Sequence, residues 1–188
     1  YYMKINYNIK KVVIIFIAYV AYVSFFKGYK SYFPTIPIYP NNEGDLNVLK
    51  GEISKRTQED IDFFYKTNVS VVSAFLPYVN EKKEELDKIV TSQNYIIYFF
   101  KYLINRRRPY QLNKKIIPLN TDTSQTPAYP AGHAYQATLL AHYLSKKYPG
   151  KKNLFDMLAL KCDDCRVKAG IHYKSDGVFS RKLFHLFN

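Results

Sequence analysis

Residues 134–148 read AYQATLLAHYLSKKY and are followed, after a Pro149-Gly150 stop, by KNLFDMLALKCDDCRVKA at residues 152–169. In the first stretch Ala137, Leu140, Ala141 and Leu144 recur at three- and four-residue spacing, which puts them on one face of a helix. In the second, Leu154, Leu158, Cys162, Cys165 and Ala169 keep the same register. Upstream, Thr57 followed by Asp60 has the form of a helix N-cap with an acidic first turn. Ile61, Phe64, Tyr65, Asn68, Val72 and Phe75 then continue at helical spacing up to Pro77. Glu81 to Arg108 is a longer candidate, with Leu86, Ile89, Val90, Ile97, Phe100, Leu103 and Ile104 on its apolar side, a break near Ser92 and a stop at Pro109. The tail from Asp176 allows one short helix. No strand alternation competes with these patterns, so the expected fold class is all-α, a helical bundle.

Outside these helices the chain has two irregular stretches and one apolar one. Residues 31–50 carry three prolines and an Asn-Asn-Glu-Gly turn, which reads as a linker. Residues 110–131, with Pro118, Pro127 and Pro130 among Thr, Ser and Asp, read as a loop. Val12 to Phe26, VVIIFIAYVAYVSFF, is apolar or aromatic except for Ser24 and is flanked by lysines on both sides. It is short against the roughly 20 residues of a spanning helix, but Ile9 and snorkelling lysines extend it. Cleavage after Ala21 would put Tyr19 where a small residue is required, so retention is favoured over removal. The expected organisation is a membrane anchor or uncleaved signal segment over residues 1–30, a linker over 31–50 and a catalytic helical domain over 51–188. Lys4, Lys10 and Lys11 against Lys27 and Lys30 lean toward a cytoplasmic N-terminus, a chain anchored or exported, and an extracytoplasmic domain.

Charge narrows the partner. Twenty-eight Lys and Arg against 15 Asp and Glu give a formal +13, so an anionic partner is expected: nucleic acid, a membrane surface or a phosphorylated molecule. The 47% hydrophobic content excludes disorder for the bulk of the chain. Two cysteines, Cys162 and Cys165, are too few for a disulfide framework, and their C-x-x-C lacks further ligands at zinc spacing, so a helix-packing role is expected and no metal site.

Three stretches use the residue types that phosphate chemistry requires. In KYLINRRRP (101–109), Lys101 and Arg108 lie seven apart, and a continuous helix would put both on one face. Arg supplies a planar fork for phosphate oxygens and Lys a point charge; alone, the run reads more readily as a basic surface that binds nucleic acid. In YPAGHA (129–134), helix-start N–H groups beside Gly132 form an anion cradle, and His133 can donate a proton. In CRVKAGIHYKSD (165–176), Arg166 is a second fork. His172 and Asp176, four apart, are spaced for a histidine oriented by a carboxylate.

The ordered set K-x6-R-P, P-x-G-H and R-x5-H-x3-D resembles the superfamily of type-2 phosphatidic acid phosphatases, class A acid phosphatases and vanadium haloperoxidases. Lys101, Arg108 and Pro109 match its first motif, Pro130, Gly132 and His133 its second, and Arg166, His172 and Asp176 its third. The resemblance implies that His172 is the nucleophile of a phospho-histidine intermediate and that Asp176 orients it. It further implies that His133 serves as acid and then base, while Lys101, Arg108, Arg166 and the Gly132 backbone hold the phosphoryl oxygens. No metal or other cofactor is implied, and vanadate is expected as an inhibitor. The chain departs from the family at Ala131 and Cys165, where serines are usual. One lost hydrogen bond to an anion costs about 1.5–3 kcal/mol.

The leading expectation is a metal-independent phosphatase acting on phosphate monoesters, soluble or at a lipid headgroup, with residues 12–26 touching the membrane. A vanadium haloperoxidase, with vanadate as cofactor bound through His172, is the alternative in the same fold. A basic protein binding nucleic acid or other anions, with a decayed site, is the alternative of another class; the intact His133, His172 and Asp176 weigh against it.

Overall fold

The computed structural model describes residues 35–188 together with residues 11, 14–19 and 21. All regular structure among them is helical: α1 Asn42–Ser54, α2 Gln58–Lys66, the single turn α3 Val72–Phe75, α4 Lys83–Thr91, α5 Asn94–Ile104, the single turn α6 Pro109–Leu112, α7 Gly132–Lys147, α8 Lys152–Lys168 and α9 Lys174–Phe187. Short 3-10 turns punctuate the chain at Leu76–Tyr78, Asp122–Ser124 and Pro149–Lys151.

The central helix is α7, packed along α8 and flanked by α4, α5 and α9. Ala137, Leu140, Ala141 and Leu144 on one side close a core with Val72 and Phe75 of α3, Leu86 and Val90 of α4, and Phe155, Leu158 and Cys162 of α8. Its other side meets a second cluster, in which Tyr135 and Leu139 touch Ile96 and Ile97 of α5 and Leu183 and Phe184 of α9. Each fully buried side chain of this size contributes roughly 1.5–3 kcal/mol. Small residues on α7 let α8 lie close.

Several boundaries differ from expectation. Residues 42–50, assigned to a linker, belong to α1, whose Asn41 side chain accepts the Glu43 N–H as a cap and whose Leu49 is buried. The segment Thr57–Phe75 is two helices, because α2, started by the Thr57/Asp60 capping box, stops at Lys66 and leaves residues 67–71 to turn. The tail is a full 14-residue helix from Lys174, not a short one from Asp176. At Gly177 of α9, a Cβ would fall 1.9 Å from the Asp163 carboxylate, so only glycine lets this buried acid of α8 approach.

The Val12–Phe26 segment lies in part outside the described residues. Residues 14–19 are helical and pack on α5, where the Phe16 and Phe99 rings are 4.8 Å apart and the Tyr19 hydroxyl donates to the Tyr102 carbonyl at 2.9 Å. Ile14, Ile15 and Ile17 remain exposed, as do Tyr95 and Tyr98 of α5. Among the described residues, no helix is long and apolar enough to cross a membrane.

Candidate active site

Three elements end at one place. α5 brings Lys101, the N-terminus of α7 brings Gly132 and His133, and the segment between α8 and α9 brings His172. With Arg108 these line a cavity of about 530 Å³, whose outer wall includes Asn94, Tyr98, Gln136 and Thr126. Residues separated by more than 70 positions therefore share one pocket.

Lys101 and Arg108 reach it by a route other than the one expected. α5 does not run on to Pro109; it stops at Ile104, and Asn105 caps it in the left-handed conformation at φ 52°. Asparagine tolerates that region better than most side chains. The chain then runs extended to Arg108, with Arg106 and Arg108 buried and Arg107 exposed. That alternation is the two-residue period of extended chain, so Lys101 and Arg108 converge across a helix end and not along one helical face.

The nucleophile candidate is held at both ring nitrogens. His172 Nδ1 lies 2.9 Å from Asp176 Oδ2 and its Nε2 lies 2.9 Å from Arg108 Nη1. A guanidinium can only donate, so Nε2 carries a lone pair and Nδ1–H donates to the carboxylate. This tautomer is the one an Nε2 nucleophile requires. Burial, then Arg108 and Lys101, hold the His172 imidazolium well below its usual range, so the ring is neutral at neutral pH.

The cations around it are held mainly by backbone carbonyls. Arg108 also donates to the carbonyls of Thr126 and Ile171 at 2.9 and 2.8 Å, and Lys101 donates to the Pro127 carbonyl at 2.5 Å. Burial, reinforced by Arg108, lowers the Lys101 ammonium well below its usual range, and burial brings Arg108 down to about 10. Arg166 donates to the Thr67 carbonyl and to Asn68 Oδ1, and its guanidinium stacks 4.4 Å from the Phe64 ring. Its Nε is buried with no protein partner. Buried cations that depress one another's charge are complementary to an entering anion.

His133 is fixed more loosely. Its Nε2 lies 3.1 Å from the Asn68 carbonyl, an acceptor, so Nε2 carries the proton and Nδ1 is the free acceptor. Burial and then Arg166 hold this imidazole neutral as well. Asn68 is a hub that its place in a helical pattern did not reveal. Its carbonyl orients His133, and its side-chain oxygen takes Arg166 and the hydroxyls of Thr121 and Thr123.

The two positions where serine is usual are turned to packing. Ala131, at the N-cap of α7, is buried and offers no side-chain cap. Cys165 packs with Phe64, Ala169 and Ile171. Burial pushes the Cys165 thiol up to about 11, and Cys162 is raised too, so neither is a thiolate. Among the described residues, no group of His, Cys, Asp and Glu is disposed to hold a metal ion.

No protein-family model matches this sequence, and no curated protein matches it. Among solved structures, the chain is similar to the crystal structure of the first transmembrane PAP2 type phosphatidylglycerolphosphate phosphatase from Bacillus subtilis, at a TM-score of 0.51 and 17% sequence identity, over 94% of this chain and 92% of that one. A likeness at this identity is one of fold, and it extends over nearly the whole of both molecules. The chain has the all-α fold of a PAP2-type phosphatase.

Proposed function

We propose that this chain is a phosphatase of the PAP2 superfamily that hydrolyses phosphate monoesters through a phospho-histidine on His172. The observation that carries the reading is the His172 ring itself, with Nδ1–H on Asp176 and the Nε2 lone pair beside the Arg108 guanidinium. An incoming phosphate takes the guanidinium's hydrogen bonds, which frees the lone pair at the moment phosphorus arrives.

In the first step His172 Nε2 attacks phosphorus, the N–P bond forms, and the bond from phosphorus to the ester oxygen breaks. His133, protonated on Nδ1 as the anionic substrate enters, gives that proton to the departing oxygen. Now neutral, it takes a proton from water. The resulting hydroxide attacks phosphorus, the N–P bond breaks, and inorganic phosphate leaves with His172 restored. Lys101, Arg108, Arg166 and the Gly132 N–H at the start of α7 stabilise the charge on the equatorial oxygens. Fixed cations supply this stabilisation, so the proposed reaction uses no metal.

The substrate class is a phosphomonoester, of a small molecule or of a lipid headgroup. Membrane association is supported by the exposed Ile14, Ile15 and Ile17 on a helical stretch that packs on α5, and by the transmembrane character of the similar phosphatase. An apolar strip of this kind is costly in water. We place the domain outside the cytoplasm, following the lysine asymmetry around residues 12–26.

The test is turnover of an aryl phosphate with and without chelator, with rapid quenching in base to trap an acid-labile phosphohistidine. Chelator-insensitive hydrolysis, trapped label on His172 and inhibition by vanadate are the expected results. Halogenation by the vanadate-loaded protein given peroxide and bromide, with no phosphate-ester hydrolysis, would overturn the assignment in favour of a haloperoxidase.

A further inference from the structure

Arg106 sits at an unspecified position of the K-x6-R-P stretch and is not one of its matched residues. It is fully buried. Its Nη1 donates to Asp176 Oδ1 at 2.7 Å and to Ser175 Oγ at 2.8 Å. Its Nη2 donates to Asp45 Oδ2 at 2.7 Å and Asn42 Oδ1 at 3.0 Å, and Nε reaches the same Asn42 oxygen at 3.1 Å. Its guanidinium lies 3.9 Å from the Tyr173 ring and 4.4 Å from that of Tyr39. Every donor of the fork is therefore used, on α1 at one end and on the catalytic carboxylate at the other.

We propose that Arg106 is a positioning residue, which keeps Asp176 ionised and aimed at His172 Nδ1 and so keeps the Nε2 lone pair available, with Asp45 and Asn42 of α1 holding the guanidinium in place. The catalytic reading of His172 is assumed here; the role of Arg106 is the addition. The division of labour at Asp176 is clear. Oδ2 serves the His172 ring and the Tyr173 N–H, whereas Oδ1 serves Arg106. Burial pushes the Asp176 carboxyl up, and Arg106 is foremost among the groups drawing it back, ahead of Arg108 and Lys101. Asp45, Asp163, Tyr129, Tyr173 and His172 also face this carboxyl or its partner. Without the guanidinium, Asp176 takes up a proton at higher pH. A neutral carboxyl then donates to Nδ1 and moves the ring proton to Nε2, which removes the lone pair.

The experiment uses the full chain and compares wild type with Arg106→Met, Arg106→Lys and Asp45→Asn. Nitrogen-15 NMR of the His172 ring is read together with kcat, KM and their pH profiles on an aryl phosphate. Arg106→Met is expected to lower kcat roughly 10–100-fold, on the scale seen when the partner behind a metal-ligating histidine is removed. KM should stay near wild type, and the acidic limb should shift to higher pH. The His172 signal should lose its Nδ1–H character at neutral pH, and Arg106→Lys should recover part of it. Asp45→Asn, further from the ring and milder for folding, should move the same readouts in the same direction by less. A folded Arg106→Met with unshifted pH profile and unchanged His172 tautomer would overturn the proposal, as would an unshifted Asp45→Asn if Arg106→Met does not fold. A wild type that shows the Nδ1–H tautomer but no hydrolysis would sink the phosphatase reading and leave the Arg106 contact standing.

Discussion

The two histidines of the pocket are held in opposite ways. His172 has a charged partner on each ring nitrogen, and behind its carboxylate stands Arg106, itself anchored on α1. Among the described residues His133 has one hydrogen bond, to a backbone carbonyl at 3.1 Å, and the residue lines the cavity. The contrast fits the roles proposed for the two rings. A nucleophile needs one tautomer throughout, so it is clamped. A group that gives and then takes a proton must change state within each turnover, and a carboxylate clamp would resist that change.

The largest test of this contrast is Asp176→Asn. An amide in that place presents either donor or acceptor to Nδ1 and no charge, so the wrong tautomer becomes accessible. The comparable loss of a histidine's carboxylate partner costs about 10⁴-fold in kcat. We expect a drop of that order in steady-state release of phosphate, and His172→Ala should abolish release. A fall under tenfold for Asp176→Asn would mean that the clamp has little to do with catalysis.

His133→Ala should separate substrates and not abolish turnover. An alkyl leaving group needs the proton, and general acid catalysis is worth about 10²–10⁴-fold, so alkyl esters should lose that much. Aryl esters, whose leaving oxygen is stable as an anion, should lose far less. Equal losses on both ester types would place His133 outside proton transfer.

A pH series reads both histidines through stability. Their folded-state pKa values lie below the ordinary 6.5, so the unfolded chain binds more protons and stability is lost as pH falls below that point. Below about 6 the sign is opposed by Asp163, whose carboxyl burial pushes up to about 6, so the folded chain takes up a proton there. The melting temperature should therefore drop on acidification from pH 6.5, more steeply in Asp163→Asn. Inorganic phosphate should flatten the drop, because a bound anion favours the protonated rings. An acid limb indifferent to phosphate would place the anion elsewhere.

The smallest effect is expected at Ala131→Ser. Serine at this N-cap can satisfy a helix-start N–H, worth about 1 kcal/mol. Thermal unfolding should show a modest gain, and activity should hold or rise if the hydroxyl also reaches the phosphate. Destabilisation would show that the buried site has no room for the oxygen.

Much of this was legible in the residues alone. Helical periodicity located α7 and α8 to within two residues, because both helices bury apolar side chains at the spacing of their own turns. Of the residues the ordered motifs named, Lys101, Arg108, Gly132, His133 and His172 line the pocket, whereas Arg166 and Asp176 stand behind it. The errors share one cause. α1 is poorly amphipathic and follows a proline-rich lead-in, so local pattern did not reveal it; its place comes from Leu49 and from Asp45 and Asn42 on Arg106. The helical path from Lys101 to Arg108 failed because Asn105 ends α5 in a left-handed turn, and asparagine as a helix-ending residue was the signal available.

Arg106 marks the boundary between the two kinds of information. As part of Arg106-Arg107-Arg108 it read as a surface run of charge, and nothing local distinguishes the three. Sequence alone determined which side chains have the chemistry for a phosphoryl group, because donor geometry and proton affinity belong to the residue. Tertiary structure decided which of those side chains lose water and face one another. It buried Arg106 and Arg108 on either side of an exposed Arg107 and put carboxylates against the first and a histidine against the second. That outcome depends on contacts across more than 60 residues, to which local periodicity is blind.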